Sequence, residues 1–188
     1  VKKSLNFRDE AEGYYKKAIS LKEDNIEALL NLTTILKENK KYFDLISVYQ
    51  KILKLDEKNT KTIYNLGSAY LFLGDIPKAR EYFKKAIEID HLHIPSYRNY
   101  ISVTKIDEKN NIFKKLLEIN FNKLDLENQI LSFNALSKCY FDLDHINQAF
   151  NYLNKSNLLK KEKSNFSMID EEKKFTKIKF FFENLDNV

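Results

Sequence analysis

The sequence predicts an all-α fold, a solenoid of stacked antiparallel helix pairs, and three observations carry that prediction. Asn31, Asn65 and Asn99 recur at one place in three successive units, each followed by an apolar residue, Leu32, Leu66 and Tyr100. Leu55 and Ile89 close two successive units at the same interval, each followed by an aspartate, Asp56 and Asp90. A period of 34 residues marks units that cannot bury their own apolar face and must stack on a neighbour. Finally, only 3 glycines and 2 prolines occur among 188 residues. A sheet protein of this size needs many turn residues, whereas long helices joined by tight turns need few.

The first segment, residues 8–25, reads as half a unit. Ala11, Tyr15 and Ala18 form the apolar face of a second helix whose first helix would lie upstream of Val1. Residues 26–59 follow as a whole unit, with Leu29, Leu32, Thr33 and Leu36 on its first helix and Leu45, Tyr49 and Ile52 on its second. Residues 60–93 are the cleanest copy. Ile63, Leu66, Gly67 and Tyr70 make a helical stripe, Gly74-Asp75 ends the helix, and Ala79, Phe83, Ala86 and Ile87 face back from the second helix. Gly67 is expected to face the region of Ala79 and Ala86, where large residues would overpack the pair.

Residues 94–129 are a degenerate copy. Pro95 suits a first helical turn, Tyr97, Tyr100, Ile101 and Thr104 form the stripe, and the second helix around Ile112, Phe113, Leu116 and Leu117 is short. Residues 130–163 recover the pattern with Phe133, Leu136, Ser137, Tyr140, Ala149, Leu153 and Ser156, displaced by two residues, so a kink is expected before them. Residues 164–188 fall outside the repeat and read as a separate capping or linker helix. Ser167 and Asp170 would start it, and Phe175, Ile178, Phe181 and Leu185 would form its apolar stripe.

The order Leu66, Gly67, Tyr70 in one helix, then Ala79, Phe83 and Ala86 in the next, closely resembles the tetratricopeptide repeat. Two signature places depart from that pattern: Ile63 stands where the family usually has tryptophan, and His91 where it usually closes with proline. The resemblance implies a right-handed superhelix and a non-catalytic module that binds a protein or peptide ligand in a concave groove lined by first helices. The groove faces would carry Asn31 and Lys37, then Lys61, Tyr64 and Asn65, then Arg98, Asn99 and Lys105, with Ile106 at the far edge. An amide offers donors and an acceptor to an extended backbone. Some family members hold a terminal carboxylate with asparagine plus lysine or arginine, which assigns such a role here to Asn31, Lys61, Asn65 and Arg98. The stretch from Phe166 to Asn184 also loosely resembles the joint that follows these repeats in some bacterial sulfotransferases, so the alternative is the repeat region of a larger transferase.

Other function classes find little support. The net charge is +5, but 32 basic residues interleave with 27 acidic ones, the pattern of solvated helix faces rather than a nucleic-acid footprint. No apolar run reaches the ~18 residues of a membrane span. No cofactor motif or phosphate loop occurs. His91 and His93 are too few for a metal site, and Cys139 occupies the core place held by Ile35, Ala69 and Val103, with no base to activate it. A lone cysteine points to a reducing, cytoplasmic compartment, with an upstream targeting segment left open because the first residue is not methionine. The half unit at the start also offers a helix face for self-association.

Overall fold

The computed structural model describes residues 2–183, with side chains described mainly from Asp9 to Ser164, and every regular element among them is helical. In chain order these are α1 (Lys2–Leu21), α2 (Ile26–Glu38), α3 (Tyr42–Leu55), α4 (Thr60–Phe72), α5 (Ile76–Ile89), α6 (Ile94–Ser102), α7 (Asn111–Leu117), a single 3-10 turn at Phe121–Lys123, α8 (Leu126–Asp142) and α9 (Ile146–Glu183). From α1 to α6 each helix packs on the next one in the chain, which builds the expected stack of antiparallel pairs.

Two turn types alternate along the stack, and each has a local cause. Within a pair, the first helix ends in a left-handed residue: Lys40 (φ 57), Gly74 (φ 79) and Asp144 (φ 63). In the best-formed copy the Gly74 N–H donates to the Leu71 carbonyl and the Asp75 N–H to the Tyr70 carbonyl, both at 3.0 Å. These are the two bonds of the Schellman motif, and the same pair recurs around Lys40 and Asp144. Between pairs, an aspartate folds the chain. The Asp90 carboxylate accepts from the Leu92 N–H at 2.9 Å, and that of Asp56 from the Lys58 N–H at 3.3 Å. This is why Leu55 and Ile89 are each followed by aspartate. Asn25 and Asn59 then cap α2 and α4, accepting from Ala28 N–H at 3.0 Å and Thr62 N–H at 2.9 Å.

The core runs along the stack as two buried clusters. One gathers Leu29, Leu36, Leu45, Ile52 and Leu66 from α2, α3 and α4; the other gathers Phe83, Ile87, Tyr97, Ile101, Phe113, Leu136 and Cys139 from α5 through α8. Gly67 corrects one expectation. A side chain there would meet Phe83 Cδ1 and Cε1 at 2.9 Å and Tyr82 Cβ at 3.1 Å, so the glycine makes room for the ring that stands between Ala79 and Ala86. At the N-terminal end, buried Glu12 ties α1 into the stack. It pairs with Lys16 at 2.7 Å on its own helix and accepts from Lys41 Nζ at 2.9 Å across the turn before α3. Lys16, and then Lys41, hold its carboxyl below the usual range.

The degenerate copy departs from the hairpin pattern altogether. α6 spans 9 residues where α2 and α4 span 13, and α7 only 7. The strong partner of α6 is therefore α8 rather than α7. The connection after α6 is fastened from both sides: Arg80 on α5 donates to the Val103 carbonyl at 3.0 Å, and Lys138 on α8 donates to the Thr104 carbonyl at 3.0 Å. Asp142, ion-paired with Lys138, also accepts from the Ile106 N–H at 2.9 Å. Ile106, expected at the groove edge, is instead buried in this junction.

The last element also differs from the expectation. No second helix starts at Ser167; α9 runs unbroken over 38 residues. Nothing between Ile146 and Glu183 can end a helix, since the stretch has no glycine or proline, and the polar residues at 167 and 170 are tolerated within it. Leu153, expected to face inward, is 40% exposed. The stripe Phe175, Ile178, Phe181 and Leu185 lies outside the described side chains.

Candidate functional site

A groove of about 710 Å3 lies between α2 and α4, and its walls are first helices. Four of the expected residues meet there: Asn31 and Lys37 from α2, Lys61 and Asn65 from α4. They share one face because α2 and α4 start from the same capped turn, one repeat apart. Asn31 and Asn65 then fall at equal depth along their helices, six residues beyond caps Asn25 and Asn59. Among the described residues neither amide takes an intramolecular hydrogen bond, and neither Lys37 nor Lys61 has a carboxylate partner. Donors and acceptors on rigid helices thus remain available to a ligand.

Sequence reasoning missed the floor of this groove. Tyr49, from the second helix α3, reaches up between the walls beside Thr33 and Thr62. Burial raises the Tyr49 hydroxyl above its ordinary pKa, offset in part by a hydrogen bond with Thr33, so it remains a neutral group. A second, smaller recess shares Lys37, Tyr49 and Asn65 and continues to Tyr42 and Phe72, whose rings stack at 5.1 Å and 11°. Phe72 stays largely exposed. The groove therefore runs from an amide and lysine end to an aromatic end.

The remaining expected residues do not join it. Tyr64 packs within its own pair, its ring 5.7 Å from Phe83, and reaches the start of the next, 5.1 Å from His93. Its hydroxyl accepts from Asn99 Nδ2 at 3.1 Å, and the Asn99 side-chain oxygen accepts from Arg98 Nη1 at 2.9 Å. Asn99 is only 6% exposed. The row of asparagines is thus two free amides followed by a third engaged inside the protein, and Arg98 is held by it. Lys105 stands exposed on the connection after α6. His93 is the cap position of α6, its Nδ1 2.8 Å from Ser96 Oγ. Burial lowers its pKa, with Asp90 opposing.

Among the described residues no group of three histidine, cysteine or acidic side chains is placed to hold a metal, and no helix is long and apolar enough to cross a membrane. Cys139 is fully buried, and burial pushes its thiol up to about 12, far from the thiolate that nucleophilic chemistry needs.

A sequence profile of the tetratricopeptide repeat matches residues 60–91, the copy with the Gly67 and Phe83 contact. That segment is a tetratricopeptide repeat. Relatives agree with this: tetratricopeptide repeat protein 12 of Homo sapiens is 28% identical over 112 residues, covering 56% of this chain and 16% of that protein. DnaJ homolog subfamily C member 7 of Mus musculus is 26% identical over 125 residues, 66% of this chain and 24% of that protein. Protein O-mannosyl-transferase Tmtc3 of Drosophila melanogaster is 34% identical over 83 residues, 44% of this chain and 9% of that protein. The chain thus spans less than a quarter of each of these relatives. In three dimensions the crystal structure of MamA has a TM-score of 0.66 at 20% identity, covering 87% of this chain and 95% of that one. A second MamA structure gives 0.65 at 20% identity, with 88% and 89% covered. These likenesses concern the fold. The chain is a tetratricopeptide-type solenoid, an architecture of protein-interaction modules.

Proposed function

We propose that this chain is a non-catalytic module that holds an extended segment of a partner protein in the groove between α2 and α4. One observation carries the reading. The two free amides of Asn31 and Asn65, with Lys37 and Lys61, line a groove whose walls are rigid helices, and no described residue satisfies them internally. Amides on opposite walls can bond both edges of an extended backbone, and the lysines favour a segment carrying carboxylate groups. The exposed Phe72 beside Tyr42 offers an apolar contact at one end, of the kind that dominates interface energetics.

Screening an arrayed peptide library tests this. The double variant Asn65→Ala with Lys61→Ala should weaken the selected peptides by about tenfold or more, the scale on which buried polar partners act at interfaces. Arg98→Ala should change little, because Arg98 is directed to Asn99. Undiminished binding by the double variant would reject the groove.

A second reading, the repeat region of a larger transferase such as a sulfotransferase, draws on a different observation. Tmtc3, named a protein O-mannosyl-transferase, shares 34% identity over 83 residues, only 9% of its length. Repeats similar to these therefore occur within a much longer transferase. The gene sequence beyond Val188 decides this reading, since it requires a phosphate-binding loop downstream.

A further inference from the structure

The opposite side of the stack, walled by second helices, carries a cleft of its own. It lies between α3 and α5, encloses about 600 Å3, and has Leu66 of α4 at its floor with Leu53 and Tyr82 on its walls. Three lysines, Lys51, Lys54 and Lys85, converge on it against one acid, Glu57. None of the three has a carboxylate partner among the described residues, which sets them apart from Lys16, Lys41, Lys78 and Lys138, all held in ion pairs.

The neighbouring cleft between α1 and α3 makes a useful contrast. It encloses about 390 Å3, shares Lys51 with the α3–α5 cleft, and sets Lys16 and Lys51 against Glu23 and Asp44, with Lys16 further engaged by Glu12. The cations that distinguish the α3–α5 cleft from its neighbour are therefore Lys54 and Lys85. Like charges gathered around a partly apolar recess repel one another, and an anionic ligand relieves that repulsion.

We propose that the α3–α5 cleft is a second docking surface, and that its occupant is an acidic segment of a partner protein. An apolar side chain of that segment rests between Leu53 and Tyr82 over Leu66, while its carboxylates meet Lys51, Lys54 and Lys85. The assignment is independent of the groove between α2 and α4, since no residue lines both. Protein rather than nucleic acid fits the recess for two reasons. It encloses only about 600 Å3, and it has a single aromatic ring, itself stacked on Tyr70 at 5.5 Å, where successive bases would need a row of free rings.

The test is fluorescence anisotropy with a labelled twelve-residue peptide that alternates glutamate and leucine, and with its lysine and leucine counterpart. The whole chain should bind the acidic peptide and ignore the basic one. Lys54→Glu with Lys85→Glu should reduce that binding by about tenfold or more, as charge reversal at a complementary surface does. Circular dichroism would confirm that the variant keeps its helices; should it not, Lys54→Gln with Lys85→Gln gives the same reading with a smaller loss. A parallel Lys114→Ala, Lys115→Ala variant, altered on α7 away from both surfaces, should bind as the parent does, and a Lys37→Ala, Lys61→Ala variant should keep the part of the binding that the Lys54 and Lys85 changes remove. The proposal is overturned by absence of binding, by equal binding of the charge-reversed or charge-neutralised protein, or by loss confined to the Lys37 and Lys61 variant. Tighter retention of a single-stranded RNA of matched charge, lost in the same variant, would also overturn it.

Discussion

Gly67 shows how little space one residue of this protein has. Its missing side chain lets Phe83, fully buried, lie against the α4 backbone. Alanine would bring Cβ to 2.9 Å from the ring, and a buried ring has nowhere to retreat, so we expect a loss of roughly 1–3 kcal/mol from overpacking. That loss opposes and should exceed the gain of about 1 kcal/mol that alanine normally gives a helix. Gly13 provides the control, because it sits in α1 and a Cβ added there would meet nothing within 4 Å. Gly13→Ala should stabilise by about 0.5–1 kcal/mol. Urea denaturation of both variants checks the pair, and a Gly67→Ala protein as stable as the parent would contradict the close approach. The residue pattern announced a small residue at 67, but not its partner. Spacing placed Ala79 and Ala86 on the right face, and only the packing shows the ring between them.

At the scale of elements, the junction after α6 replaces a missing hairpin. A short α7 cannot cover α6, so α8 does, and the loop between them is fixed through side chains instead of helix packing. Asp142→Ala would leave the Ile106 N–H without its acceptor and the Lys138 ammonium with the Thr104 carbonyl alone, in a half-closed site. Leaving a buried donor unmade costs roughly 1–3 kcal/mol. Asp142→Asn, which keeps an acceptor for Ile106, should lose less. Thermal unfolding ranks the two, and hydrogen exchange at Ile106 should quicken in the alanine variant alone. The sequence announced the degenerate copy through its two-residue offset and short apolar run. The skip from α6 to α8 and the burial of Ile106 were not legible, because Asp142 meets Ile106 across 36 residues. α9 erred in the other direction: a local start signal at Ser167 was overruled by the absence of any stop before it.

Across the whole molecule, stacking makes stability close to a sum of units and their contacts. The core is divided accordingly, one buried cluster in α1 to α4 and one in α5 to α8, with Tyr70 packed against both. Leu29→Ala, at a fully buried site of the first cluster, should cost about 2–5 kcal/mol. Native-state hydrogen exchange should report that loss in α2 and α3 while α8 keeps most of its protection. Equal loss in α8 would mean that the stack unfolds as one cooperative body. The same division bears on the two docking surfaces proposed above, which lie on opposite sides of α3 and α4 within adjoining units.

The sequence by itself determined most of the helices, the pairing from α1 to α5 and most of the turns, because these follow from local causes: a period of apolar residues, a left-handed residue ending a helix, an aspartate folding the link between pairs. The tertiary structure alone decided which polar groups stay free. Asn31, Asn65 and Asn99 are the same residue at the same place in three repeats, yet the third is closed off by Tyr64, 35 residues away. A hydrogen bond across stacked units depends on how far one pair is displaced on the next. That displacement is set by the side chains packed between them, and no spacing within one repeat encodes it.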